Sequence, residues 1–361
     1  MNSFQFAHSL SKTAIISHLV FCLFLIFISF VITKAMQVRI RIIDTPNIRS
    51  SHTAPTPKSG GIAIVTTFLL GILAIYFFGD KTPITQGYFI GFILSALAIA
   101  IVSFYDDINY KSFFVKLGSQ IIAACVVIAF GIILDEIALP FFGLVKLSWL
   151  AYPITFFWII GLTNAFNFMD GLDGLAGGVA VIASAFFGFI TLSQGSTFVY
   201  ITCYALLAGS LGFLILNFPP AKIFMGDVGS AFLGFVFATL AIIAARYDHS
   251  HTSFMVVPLL LFHFVFDTLL TFFRRLFKGE YVTQAHRTHL YQLMNRQGYS
   301  HRTVTILYYA MAIVQGIGAV YLVTIGGEKR IFVFLPYLIS YSLFAYLVIK
   351  KAKQKGLLKK E

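Results

Sequence analysis

Charge is what this sequence has least of. Only 11% of its 361 residues are Asp, Glu, Lys or Arg, and the acids number 14. A soluble domain carries about a quarter charged residues, so this scarcity excludes an ordinary soluble globular protein. Cysteine is rare too. Cys22, Cys125 and Cys203 lie singly inside apolar runs, which excludes a disulfide framework or a Cys-based zinc site and makes them small core residues. What is present is apolar: 58% hydrophobic residues, 41 Phe and 17 Tyr, with mean hydropathy +0.87. That is the composition of a polytopic membrane protein with aromatic lipid-facing and interfacial surfaces.

Uncharged stretches near 20 residues mark spans. They predict an all-α protein of about eleven spans: 14–34, 61–79, 87–105, 116–134, 149–169, 174–192, 198–217, 229–246, 254–273, 303–324 and 331–350. The first run is too long for a signal peptide, and no small-residue cleavage site follows it. Twenty of the 26 Lys and Arg residues fall in one set of alternate loops and in the C-terminal tail, and six in the other set. The positive-inside rule puts the first set in the cytoplasm, with the N-terminus outside and the C-terminus inside. The net charge of +12 is then topology and anionic-lipid contact, with no nucleic-acid partner implied.

The polar chemistry gathers on the same side. From Asn164 to Gly178 the chain reads Asn-Ala-Phe-Asn-Phe-Met-Asp-Gly-Leu-Asp-Gly-Leu-Ala-Gly-Gly, placing Asn164, Asn167, Asp170 and Asp173 at every third position. Neighbouring members of that series share a helix face, but the stripe drifts by about 60° per step, so a straight helix cannot aim all four at one ligand. Gly171 and Gly174 allow a bend. A polar turn explains Asn, Gly and one Asp but does not require the repeat; hard oxygen donors at a helix mouth suit a divalent cation or phosphate. The pair Asp106-Asp107 ends a span, where acids oppose the helix dipole. Adjacent residues diverge by about 100°, so one faces the site and the other supports it. Phe224-Met-Gly-Asp227-Val-Gly-Ser230 opens a span. Its bland reading is an Asp cap with glycine hinges; a carboxylate at a phosphate-favouring helix start implies a cation such as Mg2+. His286-Arg287-Thr-His289 follows the basic run Arg274–Lys278 and supplies anion donors. Asp267 sits in a span two turns from Arg274, and Lys116 at a span start. Arg49-Ser-Ser-His52 through Lys58-Ser-Gly-Gly61 is a stiff basic loop with a weak signal of its own. The other face carries few acids.

Together these motifs, from about residue 44 to 292, resemble the polyprenyl-phosphate N-acetylhexosamine-1-phosphate transferases, of glycosyltransferase family 4 type. The loops Asp44–His52 and His286-Arg-x-His289-Leu-Tyr-Gln look like the branch that initiates O-antigen or other surface glycans. The peptidoglycan branch has a His-rich late loop, which Arg287 interrupts here; Lys58-Ser59 stands where relatives tend to have Arg-Gly. The resemblance implies a single membrane transferase domain over 1–361, in the bacterial inner membrane. Its active-site face would be built on cytoplasmic loops 35–60, 106–115, 164–173, 218–230 and 274–302. It implies exchange of a phosphoanhydride between a UDP-sugar and undecaprenyl phosphate, releasing UMP. The implied cofactor is Mg2+, with Mn2+ as a substitute. Asp227 is the implied metal ligand with Asn167 assisting, and Asp106, Asp107 and Asp227 are the implied catalytic residues. Asn164, Asn167, Asp170, Asp173, His286, Arg287, His289, Lys116 and Asp267 would bind substrate, and the assembly could be a homodimer. The competing reading is a cation-coupled transporter, supported by the span count and intramembrane Asp267. Against it stand the one-sided acids and the lack of an evident inverted repeat.

Overall fold

The computed structural model describes residues 12–39, 42–46, 54–78, 86–109, 113–139, 141–196, 198–248, 250–281, 283–284 and 286–358. The loop Arg49–His52 therefore lies outside the described residues. The apolar runs become helices α1 (Lys12–Arg39), α2 (Gly61–Phe78), α3 (Gln86–Asn109), α4 (Phe113–Ala129), α5 (Ala151–Phe168), α6 (Leu175–Ser193), α7 (Phe198–Asn217), α8 (Asp227–Arg246), α9 (Val256–Leu260), α10 (Phe262–Leu276), α11 (Leu290–Arg296), α12 (His301–Thr324) and α13 (Phe334–Gln354). Among the described residues eight helices are long and apolar enough to cross a membrane. The expected spans at 61–79 and 116–134 contain shorter apolar helices, Gly61–Ala74 and Phe114–Ala129.

The span expected at 254–273 is discontinuous, divided between α9 and α10 at Leu261. A break inside apolar surroundings frees backbone groups that must find partners. Gln315 of α12 supplies them. Its amide donates to the Leu260 carbonyl (3.1 Å) and His263 Nδ1 (2.6 Å), and accepts from the His263 N–H (3.1 Å) and the Tyr341 hydroxyl (2.8 Å).

The described residues are nearly all helical, as expected, with a small addition. Two short antiparallel hairpins join the helices: β1 (Ile43–Asp44) with β2 (Thr56–Pro57), and β3 (Glu136–Leu139) with β4 (Gly143–Lys146). Arg246 at the end of α8 clamps the second hairpin through Asp135 (2.9 Å) and Glu136. The core expectation for cysteine holds for buried Cys203, while Cys125 is exposed on α4.

α8 is the axis of the bundle. Of its span 94% is buried, against 17% for α1 and for the C-terminal span, so α8 sits among helices while those two face outward. It packs against α5, α3 and α2. The approach of α2 is set by Gly61 and Gly229: a Cβ on Gly61 would lie 2.4 Å from Gly229 Cα. Small residues permit such close packing in membranes. Asp106-Asp107 end α3, Asn164 and Asn167 end α5, and Asp227 starts α8. This brings the three acidic and amide-rich termini together at one end of the bundle.

Candidate active site

α8 begins with Gly226 as its cap residue, which has no side chain to satisfy the first N–H groups. Asp107 does this from α3. Its oxygens accept from the N–H of Asp227 (3.2 Å) and of Val228 (3.1 Å). A carboxylate at a helix N-terminus contributes up to about 2 kcal/mol in partly buried geometries. Asp107 also pairs with Lys58 (3.4 Å). Lys58 is delivered by main-chain pairing of its loop with the chain before α8: Phe224 N–H to Pro57 O (2.8 Å) and Gly60 N–H to Phe224 O (2.9 Å). The acid pair thus divides its work, as adjacent helix positions must. Asp106 turns to Lys116 of α4 (2.7 Å) and keeps one buried oxygen without a hydrogen-bond partner among the described residues.

Lys116 bridges Asp106 to Asp227, donating a hydrogen bond to each. Asn167 donates to Asp227 (3.0 Å) and to Ser230 (2.8 Å). Asp106, Asp107, Lys116, Asn167 and Asp227 therefore form one connected cluster. Asp170 adjoins it, in the loop after α5, with no ion-pair or side-chain hydrogen-bond partner among the described residues. Burial, then the charges of Asp227, Asp107 and Asp173, push its carboxyl up to about 8.

The remaining site residues fall around this cluster. Asn164 is a turn back along α5 and turned toward α4, in a reciprocal amide pair with Gln120 (2.6 and 3.4 Å). Asp173 accepts from the Ala221 N–H (3.0 Å) and pairs with His301 (3.1 Å). Burial opposes its ionisation, but these bonds outweigh it and hold the carboxyl below its ordinary value. Asp267 is buried in α10. It accepts from the Leu290 N–H (2.9 and 3.0 Å), Thr271 (3.1 Å) and Tyr308 (3.3 Å), and it meets His289 Nδ1 (3.2 Å). It thereby caps α11 and orients the His289 ring. His289 in turn lies beside His286, with ring centroids 4.9 Å apart. Burial, reinforced by His289, Arg275 and Arg274, lowers His286 to about 3, so it is neutral near pH 7. Its Nδ1 faces the Thr288 N–H (3.4 Å), which leaves the proton on Nε2. Arg287 accepts at its carbonyl from Arg296 (3.1 Å). Tyr291 joins this second cluster to the first, donating to the Phe168 carbonyl beside Asn167 (2.8 Å).

Lys58, Gln120 and His301 were not among the expected site residues. For Lys58 a signal existed in its proline-framed, glycine-ended loop. Gln120 and His301 meet partners more than 40 residues away, and nothing in local spacing announces them. Among the described residues no three His, Cys, Asp or Glu side chains are grouped as ready metal ligands.

Residues 89–245 match the profile of glycosyl transferase family 4. A Bacillus subtilis (strain 168) relative, a probable undecaprenyl-phosphate N-acetylglucosaminyl 1-phosphate transferase, is 34% identical over 81% of this chain and 80% of its own length. The chain belongs to glycosyl transferase family 4. A decaprenyl-phosphate N-acetylglucosaminephosphotransferase of Mycobacterium leprae (strain TN) is 30% identical over 78% of this chain and 77% of that one. A phospho-N-acetylmuramoyl-pentapeptide-transferase of Listeria welshimeri is 30% identical over 72% and 81%. The family-4 match spans α3 to the end of α8 and so contains the carboxylate cluster; Lys58, Asp267 and the His286–His289 loop lie outside it. The relatives give the transporter reading no support.

Proposed function

We propose that this family-4 protein transfers an N-acetylhexosamine 1-phosphate from a UDP-sugar to undecaprenyl phosphate, starting an O-antigen or other surface glycan. The observation that carries this reading is the cluster of Asp106, Asp107, Asn167 and Asp227 around Lys116 and Lys58 at one end of an apolar bundle. Such an end lets a lipid phosphate meet a soluble nucleotide. The activities named for the relatives support it. In the reaction, an oxygen of the lipid phosphate bonds to the β-phosphorus of the donor, and the bond from that phosphorus to the bridging anhydride oxygen breaks. UMP leaves with the bridging oxygen and its electron pair.

The acceptor monoester is mostly dianionic near pH 7, its second pKa being about 6. The chain's task is therefore to position it and to offset its charge. Lys116 and Lys58 face the phosphates, and Asp106 and Asp107 hold those lysines in place. Asp170 and Asp173 shape the uridine and diphosphate pocket. Arg287, with His286 and His289, takes the UDP-sugar; Asp267 supports His289 from behind, and Asn164 with Gln120 sets the end of α5. The oxygen donors fit Mg2+ or Mn2+: Asp227 would hold the ion with the Asn167 amide oxygen, beside Asp170. When bound, the ion supplies charge neutralisation at the diphosphate. The distribution of basic residues supports a cytoplasmic face for this site in a bacterial inner membrane. A homodimer is compatible with this reading.

The test is purified protein with undecaprenyl phosphate and a panel of UDP-N-acetylhexosamines, reading UMP and the mass of the lipid product. One donor should yield a lipid-linked diphospho-sugar. Absence of UMP above a no-acceptor control with every donor would overturn the proposal.

A further inference from the structure

A cavity of about 1010 Å3, open on one side, lies between α12 and α13, away from the carboxylate cluster. Its volume is at the top of the range of about 300–1,000 Å3 typical of ligand pockets. α12 begins beside the carboxylates, where His301 pairs with Asp173. It then runs 24 residues, about 36 Å at 1.5 Å per residue, so Ile325 to Val333 lie at the opposite end of the bundle.

The wall is apolar, with Val314, Ile325, Phe332, Val333 and Phe344 among its residues. Two of the tyrosines in it have partners: Tyr337 donates to the Val314 carbonyl (2.9 Å), and Tyr341 bonds Gln315 (2.8 Å). Lys329 is the charged residue of the lining. It sits on the 3₁₀ segment Gly327–Val333, where residues three apart eclipse. That stacks Lys329 with Phe332 and Arg330 with Val333, and both apolar partners line the cavity. Arg330 Nε is buried without a hydrogen-bond partner among the described residues. The neighbouring acid, Glu328, lies over Gly143 of β4, 3.6 Å from where a Cβ would be. An apolar slot between membrane helices with Lys329 in its wall and Arg330 next to it on the 3₁₀ segment complements an amphiphile with an anionic head.

We propose that this cavity binds one anionic glycerophospholipid, its chains between α12 and α13 and its phosphate at Lys329 and Arg330. Undecaprenyl phosphate is the weaker fit, because the acceptor role proposed above needs its phosphate at the far, carboxylate end. The bound lipid would hold α13, whose span buries little of its own surface, against α12 at the side where Tyr341 joins the Gln315 network.

Native mass spectrometry of the full chain in detergent tests this, with phosphatidylglycerol, phosphatidylcholine and undecaprenyl phosphate as probes. One phosphatidylglycerol should bind about tenfold more tightly than phosphatidylcholine, since each surface cation favours an anionic headgroup. Lys329→Ala with Arg330→Ala should erase that preference. Val314→Trp, filling the slot from a half-exposed position, should weaken both phospholipids. In delipidated detergent, with no phospholipid added, thermal melts and UMP release should stay at wild-type level for both variants. Equal binding of the two phospholipids, or undiminished phosphatidylglycerol binding in both variants, would overturn the proposal. So would displacement of phosphatidylglycerol by equimolar undecaprenyl phosphate, or its exclusion by dimer formation.

Discussion

At the scale of single residues, the site depends on Gly226 having no side chain. Its φ of 75° and ψ of 168° lie in a region essentially reserved for glycine, and a Cβ there would come 2.6 Å from Asp107 Oδ2. Gly226→Ala should therefore displace Asp107 from the start of α8 and lower kcat at least about tenfold; wild-type kcat would show that Asp107 need not sit there. Asp170 gives a pH prediction. Its folded value of about 8 is above the unfolded value near 3.9. Between these limits the folded state keeps a proton the unfolded chain has lost, so stability falls as pH rises. In metal-free buffer the wild-type melting temperature should drop from pH 6 to 8.5, and Asp170→Asn should flatten the slope; equal slopes would contradict the assignment. The residue types were legible in sequence because acids are so rare in this chain that each one stands out. Their partners were not. The three-residue repeat made Asn164 look like Asn167, yet the drift around α5 turns one to Gln120 and the other to Asp227.

At the scale of elements, uncharged length revealed most helices, because in a membrane length and hydropathy dominate the signal. It could not reveal the α9–α10 break, since the run 254–273 carries no Lys or Arg and a single acid, Asp267. The break is made by a residue more than 50 positions away, Gln315, whose amide takes up the Leu260 carbonyl and the His263 N–H. Gln315→Leu leaves both buried and unpaired, at about 1–3 kcal/mol each. Its expected signatures are a lower melting temperature, faster hydrogen exchange across 262–271 and a raised KM for the donor, because α10 carries Asp267 and so sets His289. Unchanged exchange in α10 would show that Gln315 does not hold the break. The hairpins escaped the all-α expectation because strands of two to four residues are too short for a period-2 pattern to register.

At the scale of the molecule, α8 is an enclosed apolar axis that presents its N-terminus to acids from α3 and amides from α5, while the outer helices face lipid. Twenty basic residues against six predict that the carboxylate end is cytoplasmic. Reporter fusions after residue 361 and within loop 248–253 should give opposite signals, and matching signals would invalidate the orientation. The central claim is that the cluster at the start of α8 carries out phosphoanhydride exchange. Its most direct measurement is UMP formed per lipid-linked diphospho-sugar, in detergent with Mg2+, by wild type and by Asp227→Ala folded to the same melting profile. The account predicts one UMP per lipid product for wild type, and a loss of at least about a thousandfold in kcat for the variant, or about 4 kcal/mol. Near wild-type, Mg2+-dependent turnover by Asp227→Ala would contradict it.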